Sequence, residues 1–108
     1  MLYTAHNDAP VTLPNALMIL SSQVNRTTRS GEVLGAAQRV PVQEALKSIT
    51  VNAAHQNFEE HSKGSITPGK VADFVILNGN PLTVDPASLT GIDVITTIKG
   101  GKTVYSRP

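Results

Sequence analysis

The sequence predicts an α+β chain with helices first and strands after them, on three observations. Apolar residues recur at helical spacing through residues 16–24 and again through 42–53. An almost continuous apolar run, Val71 to Leu77, is followed by two shorter β-patterned stretches. Turn signals rich in Gly and Pro separate those stretches from one another and from the helical part. The chain divides into residues 1–62, rich in helix, and residues 63–108, rich in strand, with the change of character at Gly64.

In chain order, Leu2-Tyr3-Thr4-Ala5 reads as a short strand running into a loop at His6-Asn7-Asp8-Ala9-Pro10. A helix starts near Pro14, a residue suited to a first helical position, and its apolar face is Ala16, Leu17, Leu20 and Val24. It fades over 25–29, and residues 30–41 read as loop. A second helix spans about 42–54, with Val42, Ala45, Leu46, Ile49 and Ala53 on one face. A short helical turn over 56–61 follows. Thr67-Pro68-Gly69-Lys70 fits a type II turn, with Gly where φ must be positive. Val71–Leu77 carries the pattern of a strand buried on both faces. Ile92–Lys99 and Lys102–Tyr105 form a hairpin about Gly100-Gly101. The first strand has no evident neighbour, and three later strands are close to the minimum for independent stability, so partner strands from elsewhere are expected.

Composition narrows the function classes. The chain has 108 residues, 40% of them hydrophobic and only four aromatic, so its core must be aliphatic. Nine basic and eight acidic residues give a net charge of +1 with the basic ones scattered, which argues against nucleic acid or a membrane surface as partner. The absence of cysteine excludes disulfides, thiolate metal sites and cysteine nucleophiles. No apolar run nears the roughly 20 residues that span a bilayer, and no signal peptide is evident, so a cytoplasmic location is expected.

Several segments carry a resemblance. Gly64-Ser65-Ile66-Thr67-Pro68-Gly69-Lys70-Val71-Ala72-Asp73-Phe74-Val75-Ile76-Leu77 resembles the signature with which metal-dependent amidohydrolases return from the catalytic barrel to a small β-sandwich. Glu44-Ala45-Leu46 and Thr50-Val51-Asn52-Ala53-Ala54 are similar to the last barrel helix of that superfamily, and Thr97–Tyr105 to its closing hairpin. His6-Asn7-Asp8-Ala9-Pro10-Val11 resembles the loop after the eighth barrel strand. The nearest branch is that of imidazolonepropionase-like enzymes and hydrolases of N-substituted amides. The resemblance implies the last β-α unit of a TIM-type barrel followed by the C-terminal strands of a β-sandwich. Two departures stand out. Pro41 occupies the place of a side-chain cap before the "EAL" helix. A whole barrel needs roughly 250 residues.

Asp8 follows the end of the first predicted strand, where barrel enzymes place their active sites. Taken without the family, it is a loop aspartate whose side chain accepts nearby backbone N–H groups. The resemblance implies that it binds the catalytic metal and manages the proton of the attacking water. His6, two residues earlier, would share its face on a strand, and the pair could supply two metal ligands. The alternative is a strand-end histidine bonded to neighbouring loops. Catalytic zinc takes three protein ligands as a rule, and His55 and His61 lie on a different element, most simply at the surface. Asn52 reads as a buried amide bonded to loop backbone. The resemblance makes Lys70 and Asp73 structural, with Asp73 anchoring loop backbone groups. Ser65 has no base near it in sequence.

The intact enzyme implied by the resemblance hydrolyses the C–N bond of an amide or cyclic amide, with a divalent metal, zinc by preference, activating the water. For this chain three readings stand. It is a fragment inactive alone, with no metal of its own; or a free-standing oligomeric or interaction module; or a piece active only with the rest of the barrel. Helix stripes that would face barrel strands predict self-association, because exposed apolar patches beyond about a few hundred Å² rarely persist on monomers. A symmetric dimer is the expected species in size-exclusion chromatography with light scattering, and a monodisperse monomer would refute it.

Overall fold

The computed structural model describes residues 1–108. Helix α1 (Ala16–Asn25) begins where Asn15, with extended backbone, turns its side-chain carbonyl onto the N–H groups of Leu17 and Met18, at 3.0 and 3.1 Å. That cap satisfies two of the donors a helix start leaves orphaned. The helix therefore starts two residues later than the proline pattern predicts, and Pro14 precedes the cap. Leu17, Leu20 and Val24, spaced three and four apart, are its buried stripe.

The helix predicted over 42–54 is two helices, α2 (Val42–Ser48) and α3 (Val51–Gln56). Between them stand Ile49 and Thr50, which with Val51 at the start of α3 make three β-branched residues in a row. Thr50 turns its hydroxyl back onto the Leu46 carbonyl at 2.7 Å, and its backbone leaves the helical region. Pro41 precedes α2 with no side-chain cap, as the sequence predicts. The helical turn expected over 56–61 is a helix exit instead. Phe58 takes φ 57°, Glu59 N–H donates to the Ala54 carbonyl at 2.9 Å, and Phe58 N–H to that of His55 at 3.0 Å. This is the Schellman arrangement, with phenylalanine where glycine is usual.

Strands β1 (Phe74–Leu77), β2 (Val94–Lys99) and β3 (Lys102–Ser106) form one antiparallel sheet in that order. The Gly100-Gly101 turn has φ of 57° and 78°, positive at both positions as the primed hairpin requires. The Thr67–Lys70 turn closes at 3.2 Å with Gly69 at φ 91°. At Gly64 the need is space. A Cβ built there would lie 2.6 Å from the Cβ of Ala54, so the chain leaving α3 can pass against it only as glycine.

Two expectations are corrected. Leu2–Ala5 forms no strand, because no second strand lies beside it. Its contacts are with helices: Ala5 N–H donates to the Ser48 carbonyl at 3.4 Å, and the Asn52 amide to the Tyr3 carbonyl at 3.0 Å. The β1 run is not buried on both faces. Phe74, Val75 and Ile76 are 37%, 55% and 49% exposed, since β1 is an edge strand and no second layer covers the sheet.

The core lies elsewhere. Leu17, Leu20 and Val24 of α1 and Ala45 of α2 cluster with Leu89 and Ile92, which lie in and just after a 3₁₀ turn at Pro86–Gly91. Asp85 caps that turn by accepting from Ala87 N–H at 2.9 Å. The Asn25 amide ties it to α1 through the Pro86 carbonyl at 2.8 Å. The cluster is wholly aliphatic, and the helical and strand-rich parts of the chain meet in it. No helix is long and apolar enough to cross a membrane.

Leu20→Ala or Leu89→Ala should each lower stability by about 2–5 kcal/mol, because both side chains are fully buried. Phe58→Gly should raise it by up to about 1 kcal/mol, relieving a bulky residue of left-handed backbone. Urea unfolding midpoints check both directions.

Candidate metal-ligand turn at Asp8

The extended segment ends in a turn that opens at Asp8. Asp8 has φ 54°, in the left-handed region that aspartate tolerates better than most residues. Its carbonyl accepts from Val11 N–H at 2.8 Å, and its own N–H donates to His6 Nδ1 at 3.1 Å. Asn7 ties the turn to the next element. Its side-chain carbonyl accepts from Asn15 N–H at 3.1 Å, one bond before α1, and its backbone carbonyl accepts the Thr12 hydroxyl. Backbone and neighbouring side chains thus define the turn, while the Asp8 carboxylate enters no hydrogen bond or ion pair and is exposed.

That outcome differs from the loop-aspartate reading, in which the carboxylate accepts backbone N–H groups. The His6 ring does that work for Asp8 itself, in line with a loop-bonded histidine. Strand alternation does not relate the two side chains, because no strand forms and Asp8 sits at positive φ. As metal donors they offer one free carboxylate, since His6, accepting at Nδ1, carries its ring proton on Nε2. No group of three or more His, Asp or Glu side chains gathers anywhere in the chain, so these residues fit one corner of a metal site and do not complete one.

His55 and His61 are at the surface, as expected. His55 Nδ1 meets Glu60 Oε1 at 3.0 Å. The Glu60 carboxyl is held below its ordinary value, first by a backbone hydrogen bond, then by that of His55, with the His61 charge adding to it. Asn52 and Asp73 take the structural roles read for them. Asp73 Oδ1 accepts from Gly100 N–H at 2.7 Å and so pins the hairpin turn to the start of β1.

Sequence reasoning missed one grouping. Lys70 Nζ donates to the carbonyls of Glu60 and Lys63 and, at 2.7 Å, to the Ser65 hydroxyl. An ammonium with three acceptors offers Ser65 a proton donor and no lone pair, so the pair is a staple for the 60–70 loop and not a nucleophile with its base. Nothing in the spacing of Ser65 and Lys70 distinguishes these two roles; the backbone acceptors do. Tyr3 lies beside a shallow hollow of ≈ 180 Å³ shared with Asn52, His55 and Gln56, and its hydroxyl is buried without a partner. Asp8 and His6 do not line it.

The fold is a mixed α/β one, helices followed by an antiparallel three-stranded sheet, with an exposed carboxylate on a turn ahead of α1. The chain belongs to the amidohydrolase family, whose model (Amidohydro_3) matches residues 1–105. It is 32% identical over 110 residues, 99% of this chain, to a Bacillus subtilis (strain 168) protein named for the amidohydrolases, YtcJ. It is 30% identical over 101 residues, 94% of this chain, to the N-substituted formamide deformylase of Arthrobacter pascens. These matches span 21% and 19% of the two relatives' lengths, so the chain corresponds to about a fifth of either. Among solved structures, an amidohydrolase from Thermotoga maritima MSB8 superimposes with a TM-score of 0.67 at 26% identity, over 93% of this chain and 22% of that one.

Because the Glu60 carboxyl is depressed below its ordinary value of 4.5, its contribution to stability is fully present above that value. It is lost as pH falls through the lower folded-state value. Glu60→Gln should flatten stability against pH in that acid window and leave the slope at neutral pH unchanged, as read by unfolding midpoints across an acid series.

Proposed function

We propose that this chain is the C-terminal segment of a metal-dependent amidohydrolase. In this reading it forms the last β-α unit of a TIM-type barrel and the closing strands of a small β-sandwich, and the assembled enzyme hydrolyses the C–N bond of an amide or cyclic amide. One observation carries it: the Asp8 carboxylate is exposed and unpaired on a turn held instead by His6 Nδ1, Asn7 and the Asp8 carbonyl. An aspartate kept only for loop structure would spend its oxygens on the loop.

A divalent metal, zinc in this reading, lowers the pKa of a coordinated water towards ~7 when ligands from several strands hold it. Asp8 would supply one oxygen ligand to that ion, and its carboxylate could hold a proton taken from water. His6 sits behind Asp8 on the backbone side. The remaining ligands come from the rest of the barrel, the partner this reading requires, and the enzyme acts in the cytoplasm. By itself the chain is inactive and holds no metal.

The exposed β1 run and Val104 and Tyr105 of β3, which are 61% and 46% exposed, favour a second reading, a non-catalytic module that self-associates through its sheet.

Purified chain should show no stoichiometric zinc and no turnover of an N-substituted formamide, the substrate class named for the Arthrobacter relative. Joined to the rest of an amidohydrolase barrel it should gain both, and Asp8→Asn should then lower kcat by about 10²–10⁴. Turnover by the isolated chain, or full activity in Asp8→Asn, would overturn the proposal.

A further inference from the structure

We infer that His6 is a positioning residue for Asp8, and that it fixes through its Nδ1 the left-handed turn that presents the Asp8 carboxylate. The inference rests on the reading of Asp8 as a metal ligand and adds to it the means by which that ligand is aimed.

Three observations carry it. The acceptor of the Asp8 N–H is the His6 ring, at 3.1 Å. Asp8 has φ 54°, so its N–H and its side chain point in directions that a strand residue would not give. The His6 bond closes that conformation from before Asp8, and the Asp8 carbonyl accepting Val11 N–H at 2.8 Å closes it from after. With both backbone groups held and the carboxylate uncommitted, the oxygens are free to bind.

The hydrogen bond also fixes the ring. To accept at Nδ1, neutral imidazole must carry its proton on Nε2. Nδ1 then has no lone pair left for a metal, and Nε2 becomes a donor. His6 and Asp8 are therefore not two equivalent ligands of one ion. One binds and the other orients, the division of labour in which an outer residue sets the geometry of the inner one.

The geometry names its own substitute. Asparagine two residues ahead of an N–H accepts from it through its side-chain carbonyl, closing an Asx turn. His6→Asn therefore keeps the bond, and His6→Ala removes it. The test is nitrogen-15 NMR on the full chain. The expected results are an Nε2–H tautomer for His6 and a strong intraresidue H–N to Hα cross-peak for Asp8, the mark of positive φ. That cross-peak should be lost in His6→Ala and restored in His6→Asn, while the Gly100 amide, held by Asp73, stays unshifted in both as a control for folding. An Nδ1–H tautomer, or an Asp8 cross-peak indifferent to His6→Ala, overturns the inference. So does its loss in both variants. Failure of the reading beneath it shows separately, since Asp8→Asn tolerates the same left-handed backbone and tests binding without disturbing the turn.

Discussion

The stripe of Leu17, Leu20 and Val24 against Leu89 and Ile92 is the contact on which the rest of this structure depends. It joins residues some 65–75 positions apart in the chain. The only other links between the helical and strand-rich parts are short, such as the Asn25 amide on the Pro86 carbonyl. The 3₁₀ turn that supplies Leu89 hangs between β1 and β2, so packing it on α1 brings the sheet along. Remove that apolar contact and the sheet is tethered to the helices mainly by the loop at 60–70, which Lys70 staples to itself and not to α1.

A core of this kind is small for the chain that surrounds it. Ala45, Leu20 and Leu89 are fully enclosed, while Phe74, Val75, Ile76, Val104 and Tyr105 lie open on the sheet. Side chains of that type on a strand are selected for contact on a pleated face. Their exposure is consistent with a chain that matches only about a fifth of its relatives' length. The sheet is well formed internally, with its hairpin glycines at positive φ and Asp73 locking the turn to β1. What its sequence describes, and this chain alone does not supply, is a layer against it.

Much of this was legible in the sequence because the signals were local. The hairpin, the Thr67–Lys70 turn, the α1 stripe and the aliphatic core all follow from residue types at fixed spacing, and the structure has each of them. Asn52 was legible from the residues themselves as an amide bonded to loop backbone, and Asp73 through the family resemblance as an anchor for loop backbone. The misses share a cause. Leu2–Ala5 has the composition of a strand, but a strand is a relation between two segments and its neighbour is not here. The 71–77 run has the pattern of a doubly buried strand, but burial is decided by what packs on it. The break at Ile49-Thr50 was readable from three successive β-branched residues, a signal the apolar periodicity outweighed. The Lys70 staple was not readable, because its acceptors are main-chain carbonyls, which carry no mark in the sequence.

The Asp8 turn belongs between these cases. That an aspartate stands after an extended segment could be read from the sequence; that its carboxylate is left free could not, because this depends on who else satisfies the backbone around it. A short loop has a fixed number of N–H groups to place, and any that the aspartate accepted would have to be given up again before a metal could bind. Here His6 accepts the Asp8 N–H, and Asn7 accepts that of Asn15, the residue that caps α1. The carboxylate is thus left uncommitted while neighbouring side chains hold the backbone.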